Sequence, residues 1–156
     1  MLRIRKGQKE DMAAVLDLIK ELAEYEKAPE EVEMTENRLI KDGFGDKPLF
    51  ETLVAEKNEK IIGMALYYKK YSTWKGMSIY LEDIIVTRDF RRKGIGATLF
   101  EAVINKSYEL GAQRMEWQVL DWNEPAIEFY KKYNAELDEE WVNGQFKWGQ
   151  IKELCK

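Results

Sequence analysis

Residues 80–96 read YLEDIIVTRDFRRKGIG, and this stretch decides the fold of the chain. An apolar, β-branched run ends in a basic turn with Gly94 and Gly96, and an amphipathic segment follows over residues 97–110. The pattern predicts a strand, a loop and a helix. Glycine lets backbone N–H groups approach a ligand, and the N-terminus of a helix carries partial positive charge. With the basic residues 91–93 beside it, the loop is predicted to bind an anion such as phosphate.

The composition limits the chemistry that the chain can carry out. It has 156 residues, no histidine and one cysteine, Cys155. That composition excludes nearly every zinc site and every Cys/His catalytic arrangement, so we expect no metal. Acid–base catalysis must then come from carboxylates, tyrosine, lysine or water. The net charge of −4 argues against nonspecific nucleic-acid binding and is compatible with a cationic substrate.

The length and the apolar content predict one domain over residues 1–156. No apolar run approaches the ~18 residues of a membrane span, and the sequence begins directly with a strand-like pattern, so we expect a cytoplasmic protein. Hydrophobic periodicity predicts an α/β (α+β) fold with a mixed central sheet and helices on both faces. The predicted strands are 2–6, 50–56, 60–71, 78–86, 114–119 and a closing hairpin over 135–148; the predicted helices are 11–26, 35–41, 97–110 and 125–133.

Three signatures along the chain resemble one family. The spacing Arg91-x-x-Gly94-x-Gly96 is similar to the acetyl-CoA pyrophosphate loop of the GCN5-related N-acetyltransferases (GNAT). Residues 122–130, WNEPAIEFY, are similar to the second cofactor segment of that family. The stretches LAEYE (22–26), DGFG (42–45) and YLED (80–83) resemble its diamine (spermidine/spermine) and thialysine acetyltransferase branch.

The resemblance implies the GNAT acyl-CoA N-acyltransferase fold, with acetyl-CoA held where two parallel strands separate. The backbone of residues 84–86 would bind the pantetheine amides as an added strand does. Taken alone, the basic loop could equally be a turn that only caps a helix. The implied cofactor-binding residues are Ile84, Ile85, Val86, Arg91, Arg92, Lys93, Gly94, Ile95, Gly96, Ala97, Asn123 and Ala126.

The reaction requires a base for the amine and an acid for the departing thiolate. A primary amine has a pKa of about 10.4, so supplying it neutral at pH 7 costs roughly 4 to 5 kcal/mol. We expect Glu82, on the central strand, to be the base, unless it only pairs with a lysine or arginine. Asp83 would point to the opposite face unless the strand is bulged. The resemblance implies that Tyr130 is the catalytic acid.

The resemblance also implies a homodimer and a small diamine or polyamine as the acetyl acceptor. Glu139 and Glu140 lie near the family's substrate-contacting acid, in a register that the sequence leaves open. Ala126, Tyr133 and Asn134 depart from the family's pattern around the second cofactor segment. The implied substrate-binding residues are Tyr25, Glu26, Glu82, Glu116, Trp117 and Gln118.

Three alternatives stay open at the level of sequence. The acceptor could be thialysine or a lysine-like amino acid, or it could be a protein N-terminus or lysine. A module that binds acetyl-CoA without catalysis would be expected to lack Glu82 or Tyr130, and both are present.

Overall fold

A single mixed sheet of five strands organises residues 1–118. The computed structural model describes residues 1–156, and the strands lie in the sheet in the same order as in the sequence. Neighbours among the first four strands pair antiparallel, and the fourth and fifth strands pair parallel. This confirms the predicted mixed sheet. The strands are β1 (Leu2–Lys6), β2 (Glu51–Lys57), β3 (Lys60–Ser72), β4 (Gly76–Val86) and β5 (Arg114–Glu116).

Five α-helices accompany the sheet, three of them within residues 1–118. Residues 119–156 form a second compact unit with the other two. None of the helices combines the length and the apolar character that crossing a membrane requires. The helices are α1 (Met12–Tyr25), α2 (Glu36–Phe44), α3 (Ile95–Glu109), α4 (Glu124–Lys131) and α5 (Trp148–Leu154).

The helices of the first unit cover both faces of the sheet. On one face, Val15 of α1 and Leu39 of α2 join Met64 and Ile85 in a buried core. Side chains alternate along a strand, so Gly63 faces the other way from Met64. A Cβ atom at Gly63 would lie 3.2 Å from Leu99 Cδ1 of α3. The missing side chain therefore lets α3 pack closely against the second face.

A β-bulge interrupts the pairing of β3 with β4. Leu66 lies opposite Asp83, whereas its neighbour Tyr67 lies opposite Leu81, so Glu82 is the extra residue. In such a bulge, two residues of one strand oppose one residue of its partner and the strand bends. The alternation expected for a regular strand therefore fails at Glu82 and Asp83.

Helix α2 begins as predicted and ends later than predicted. Its N-cap is Thr35, whose Oγ1 accepts a hydrogen bond from the Arg38 N–H at 3.2 Å. The expected stop at Asp42 is wrong because the helix continues to Phe44. Gly43 is buried inside it, where a Cβ atom would lie 2.5 Å from Phe50 Cζ. This glycine makes room for a ring and does not end the helix.

The predicted closing hairpin over residues 135–148 is wrong. Residues 135–147 form no strand, and α5 follows. Trp141 is 72% exposed and Val142 is 94% exposed, so the apolar positions of the expected strands have nothing to pack on within this chain. An isolated two-stranded hairpin is marginally stable in water, which explains why the pattern alone does not produce one. Strand β5 also ends at Glu116, three residues earlier than predicted.

Candidate active site

A cavity of about 450 Å³ lies against the bulge of β4. It is open to solvent, and its volume falls within the range of small-molecule sites. Five carboxylates and one guanidinium line it, together with apolar groups from α1. The lining residues are Ile19, Leu22, Ala23, Glu26, Glu31, Val32, Glu33, Met34, Arg38, Glu82 and Asp83.

The bulge brings Glu82 and Asp83 to the same cavity. Glu26, just after the end of α1, lines it too, and we call these three residues the carboxylate cluster. The sequence allowed only one of the two strand carboxylates to face the site if the strand were regular. Asp83 is therefore a site residue that the sequence interpretation did not assign.

Asp83 is the most perturbed carboxyl group of the cluster. Burial, followed by the negative charges of Glu82 and Glu26, raises its pKa to about 7. No lysine, arginine or hydrogen-bond donor pairs with the Asp83 side chain. A carboxyl group with a pKa near the working pH suits a general base, because it exchanges protons readily at that pH.

Two tyrosines lie beside Glu82 on the same face of the sheet. The Tyr68 hydroxyl donates a hydrogen bond to Glu82 Oε2 at 3.3 Å. The ring of Tyr80 packs on that of Tyr68 with the centroids 5.4 Å apart. Burial, followed by the charge of Glu82, raises the pKa of Tyr68 to about 12, so this hydroxyl stays protonated as a donor. The alternative for Glu82, that it only pairs with a lysine or arginine, does not occur in the structure.

Glu26 and Tyr25, the two residues expected at the mouth of the site, differ in their surroundings. Glu26 lines the cavity, and burial raises the pKa of its carboxyl group above the usual range. The Tyr25 ring is not part of the cavity lining. It packs instead under the guanidinium of Arg91, 5.4 Å from the ring centroid.

The edge of β4 on the β5 side lacks a partner strand beyond Tyr80. Strand β5 pairs with β4 only from Ser78 to Tyr80. The Thr87 N–H bonds to the Ile62 carbonyl of β3, and alternation then directs the backbone groups of Val86 and Ile84 to the other edge. This unpaired edge has the geometry that an extended, amide-bearing ligand requires.

The cofactor loop, residues 91–97, follows this edge and opens α3. Gly94 is its N-cap in a left-handed conformation, with φ of 79°. The Thr98 N–H makes the first intrahelical bond, to the Gly94 carbonyl, so the N–H groups of residues 95–97 point out of the helix end. Arg92 and Lys93 are exposed beside them. Exposed cations and outward N–H groups together can hold a pyrophosphate.

Arg91, the first residue of the motif, is directed into the protein. Its Nε donates to the Val86 carbonyl at 2.7 Å. Its Nη2 donates to Glu21 Oε1 at 3.1 Å. The structure therefore separates Arg91 from the exposed Arg92 and Lys93.

The three predicted substrate residues of β5 and its extension do not line the cavity. Glu116 pairs with Lys70 at 3.4 Å and with Arg114 at 3.3 Å. Trp117 packs edge-on against Phe100 of α3, with the ring centroids 5.3 Å apart. Gln118 is exposed. Their role in substrate binding stays a prediction.

The second unit carries the other predicted site residues on α4. The Asn123 side chain is the N-cap and accepts a hydrogen bond from the Ala126 N–H at 3.4 Å. Tyr130 is 6% exposed, and its ring packs on Phe129 with the centroids 5.3 Å apart. Asn134 follows the helix with φ of 57°, a left-handed conformation that asparagine tolerates, so the loss of the family's glycine there does not disturb the backbone.

Comparison with known proteins identifies the family. The profile of the Acetyltransferase (GNAT) family matches residues 13–135. The chain is 38% identical to thialysine N-epsilon-acetyltransferase from Bos taurus, over 97% of this chain and 96% of that protein. It belongs to the GNAT acetyltransferase family. The chain is therefore an enzyme, an acetyl-CoA-dependent N-acetyltransferase, as its motifs predicted.

A second relative confirms the narrower branch. The chain is 36% identical to spermidine/spermine N(1)-acetyltransferase-like protein 1 from Homo sapiens. The match covers 85% of this chain and 20% of that protein. Both names belong to the diamine and thialysine branch that residues 22–26, 42–45 and 80–83 indicated.

Solved structures support the GNAT fold. An integron cassette protein from the mobile metagenome of V. cholerae superposes with a TM-score of 0.80 at 23% identity, covering 99% of this chain and 98% of that one. An aminoglycoside acetyltransferase from a soil metagenomic sample superposes with a TM-score of 0.77 at 21% identity, covering 94% and 95%. At these identities the likeness concerns the fold alone.

Proposed function

We propose that this GNAT enzyme transfers the acetyl group of acetyl-CoA to the primary amine of a small diamine or polyamine by direct attack. The carboxylate cluster in the cavity beside the bulge of β4 is the observation that carries the proposal. A cavity lined by five carboxylates attracts cations with more than one charge, and its volume fits a small molecule. The relatives named as thialysine and spermidine/spermine acetyltransferases support an amine acceptor.

We assign the base to the pair of Glu82 and Asp83. The ammonium group enters protonated, held by negative charge, and Asp83 removes its proton directly or through one water. The pKa of Asp83, about 7, matches that role because the group is deprotonated about half the time at neutral pH. Glu82, oriented by Tyr68, stays beside it as the counter-charge to the ammonium.

We assign acetyl-CoA to the cofactor loop and the unpaired edge of β4. The pyrophosphate binds the N–H groups of residues 95–97 with Arg92 and Lys93, and the pantetheine binds the backbone of Ile84 and Val86. The neutral amine attacks the thioester carbonyl, and the sulfur leaves with the electrons of the broken C–S bond. Tyr130 then gives its proton to that thiolate, which releases coenzyme A. No step needs a metal.

A thialysine-like or lysine-like amino acid is the second candidate acceptor. Arg38 is the one cation among the cavity-lining residues, and its side chain makes no ion pair. A guanidinium there could hold the carboxylate of an amino acid while the carboxylate cluster holds its amine. The relatives named for thialysine also favour this candidate.

Two pairs of acceptors separate the candidates. L-lysine differs from 1,5-diaminopentane, and L-ornithine from 1,4-diaminobutane, only by the carboxylate. An enzyme that acetylates amino acids would prefer L-lysine and L-ornithine to the two diamines, and Arg38→Gln would remove that preference. Lys41→Gln, on the same helix, is the control and would keep it. A diamine enzyme would prefer the second of each pair and would keep that preference in Arg38→Gln.

We propose a homodimer through the end of the chain. Trp141, Phe146 and Trp148 are 72%, 64% and 72% exposed, which is unusual for large apolar side chains. A second copy that covers them would give the predicted strands of residues 135–148 a surface to pack on. In that assembly Glu139 or Glu140 could reach the substrate of the partner.

The single catalytic domain and the cytoplasmic location also stay predictions. The family match across residues 13–135 supports the single domain.

The test is a panel of amines with acetyl-CoA, in which the release of free thiol is followed for each amine. We expect diamines and aminoalkyl amino acids to be acetylated faster than monoamines of equal length. Equal rates for all of them would contradict a cavity selected for multiply charged cations.

A further inference from the structure

Glu21 of α1 contacts the cofactor region through both of its carboxylate oxygens. Oε2 accepts a hydrogen bond from the Thr87 hydroxyl at 2.8 Å. Oε1 accepts from the Arg88 backbone N–H at 2.9 Å and from Arg91 Nη2 at 3.1 Å. The Glu21 side chain thus accepts hydrogen bonds from three residues of the segment that leads from β4 into the loop.

Arg91 extends this contact to the edge of β4 and to the acceptor side. Its Nε donates to the Val86 carbonyl, and its guanidinium lies over the Tyr25 ring. Tyr25 follows Glu21 by four residues and therefore lies on the same face of α1. The Glu21–Arg91 pair joins the loop to the end of the helix that carries Glu26.

The pair is well placed to be stable. The side chains of Arg91 and Glu21 are 33% and 29% exposed, so water screens them only in part. Hydrogen bonds to charged groups are roughly twice as strong as those between neutral groups. The Arg91 side chain donates to Val86 and Glu21 inside the protein, whereas Arg92 is exposed and Lys93 makes only one hydrogen bond, of 3.4 Å, to the Asp89 carbonyl.

From this geometry we infer that Glu21 is a positioning residue for acetyl-CoA binding, acting through Arg91, and that Arg91 holds the loop in place without itself binding phosphate. The inference rests on the proposed assignment of the cofactor loop to acetyl-CoA. Glu21 does not line the acceptor cavity, and both of its carboxylate oxygens accept hydrogen bonds from residues 87–91. It fixes the position of the first residues of the loop. The loop in turn determines the direction of the N–H groups at the N-terminus of α3.

A double-mutant cycle with coenzyme A as the probe tests this inference. The affinities of the wild type, Glu21→Gln, Arg91→Gln and the double variant are measured by calorimetry. The glutamine amide keeps the size of Glu21 but offers one acceptor oxygen in place of two. We expect each single variant to raise the dissociation constant about tenfold, the typical effect of one lost hydrogen bond to a charged group.

The double variant decides whether the two residues act as one unit. We expect its dissociation constant to equal that of a single variant, since removing either partner already releases the loop. An increase close to the product of the two single effects would show that Arg91 binds phosphate independently, and it would overturn the inference. An unchanged or tighter affinity in Glu21→Gln would overturn it as well.

Two controls separate this role from general damage and from failure of the proposed function. Glu24→Gln removes an exposed carboxylate of the same helix and should leave coenzyme A affinity unchanged. At saturating acetyl-CoA, Glu21→Gln should keep its turnover within about twofold; a loss of turnover together with a loss of thermal stability would overturn a positioning role. If Gly96→Val also fails to weaken coenzyme A binding, the assignment of the loop itself is wrong.

Discussion

The cofactor loop follows β4 and the carboxylate cluster includes Glu82 and Asp83 of β4, yet the two form their sites in opposite ways. The loop uses neighbours in sequence: two glycines and the exposed cations Arg92 and Lys93. The cluster combines Glu26, which follows α1, with Glu82 and Asp83 of β4, and burial raises the pKa of Glu26 and of Asp83. Changes in the loop should therefore alter affinity for acetyl-CoA, whereas changes in the cluster should alter chemistry, its pH dependence and amine affinity.

The largest expected effect lies outside both regions and concerns the protonation of the departing thiolate. Tyr130→Phe keeps the ring and removes the proton donor, so we expect turnover to fall about 100-fold to 10,000-fold with both Michaelis constants nearly intact. Steady-state kinetics check this, with Tyr108→Phe as the control because that ring is 88% exposed. A loss below about threefold would mean that water or another group protonates the thiolate.

The second effect concerns stability and applies only to the cluster. The folded state raises the pKa of Asp83 from 3.8 to about 7, so unfolding releases its proton and stability falls as pH rises between these values. The loss amounts to about 4 kcal/mol. Asp83→Asn should therefore unfold at a higher denaturant concentration than the wild type at pH 8, with little gain at pH 4. Denaturation curves at both pH values check this, and an equal effect of Asp17→Asn, an exposed residue of α1, would contradict it.

The third effect applies only to the loop. Gly96 has an ordinary φ, and a Cβ atom there would meet its nearest neighbour, Val86 Cγ2, at 3.9 Å, so Gly96→Val should fold. The new side chain would stand where the pyrophosphate approaches the backbone. We expect the Michaelis constant for acetyl-CoA to rise at least about tenfold and that for the amine to stay unchanged. A folded variant with normal acetyl-CoA affinity would remove the proposed role of the loop.

The smallest effect tests the outer part of the cluster. Glu26→Gln should raise the Michaelis constant for a diamine several-fold and leave that for acetyl-CoA alone, because it removes one of the charges facing the cavity. The preference for a diamine over a monoamine of equal length should also shrink between low and high ionic strength, since salt screens exposed charges. A preference that does not respond to salt would point to shape, not charge, as its cause.

The same contrast explains how much the sequence could predict. The order of the elements through α4, the Thr35 cap and the loop follow from local patterns, and local patterns are what a sequence displays. The bulge at Glu82 depends on how β3 pairs with β4, so the sequence of residues 80–86 alone does not indicate it. From the sequence, the two strand carboxylates are therefore expected on opposite faces unless the strand is bulged.

Two further differences have the same origin. The engagement of Arg91 by Glu21 joins residues 70 positions apart, which the motif spacing does not reveal. The predicted hairpin over residues 135–148 is the opposite case, because a local signal is present in the sequence but no strand forms. Its alternation and its Asn143-Gly144 turn are local signals of strands, but its apolar side chains stay exposed in the single chain. Strand formation there depends on a surface to pack against.

The most direct test of the account is the pH dependence of kcat/KM for a diamine in the wild type and in Asp83→Asn, between pH 5.5 and 9. The amine has a pKa of about 10.4, so its own deprotonation would give a rise that continues throughout this range, whereas a rise that levels off near neutral pH reports a group of the enzyme. With Asp83 as the base, the wild type should rise through a pKa of about 7 and then level off. In Asp83→Asn the rate should be lower, and that rise should be absent. A rise with the same midpoint in the variant would contradict the role of Asp83 and return the base to another group.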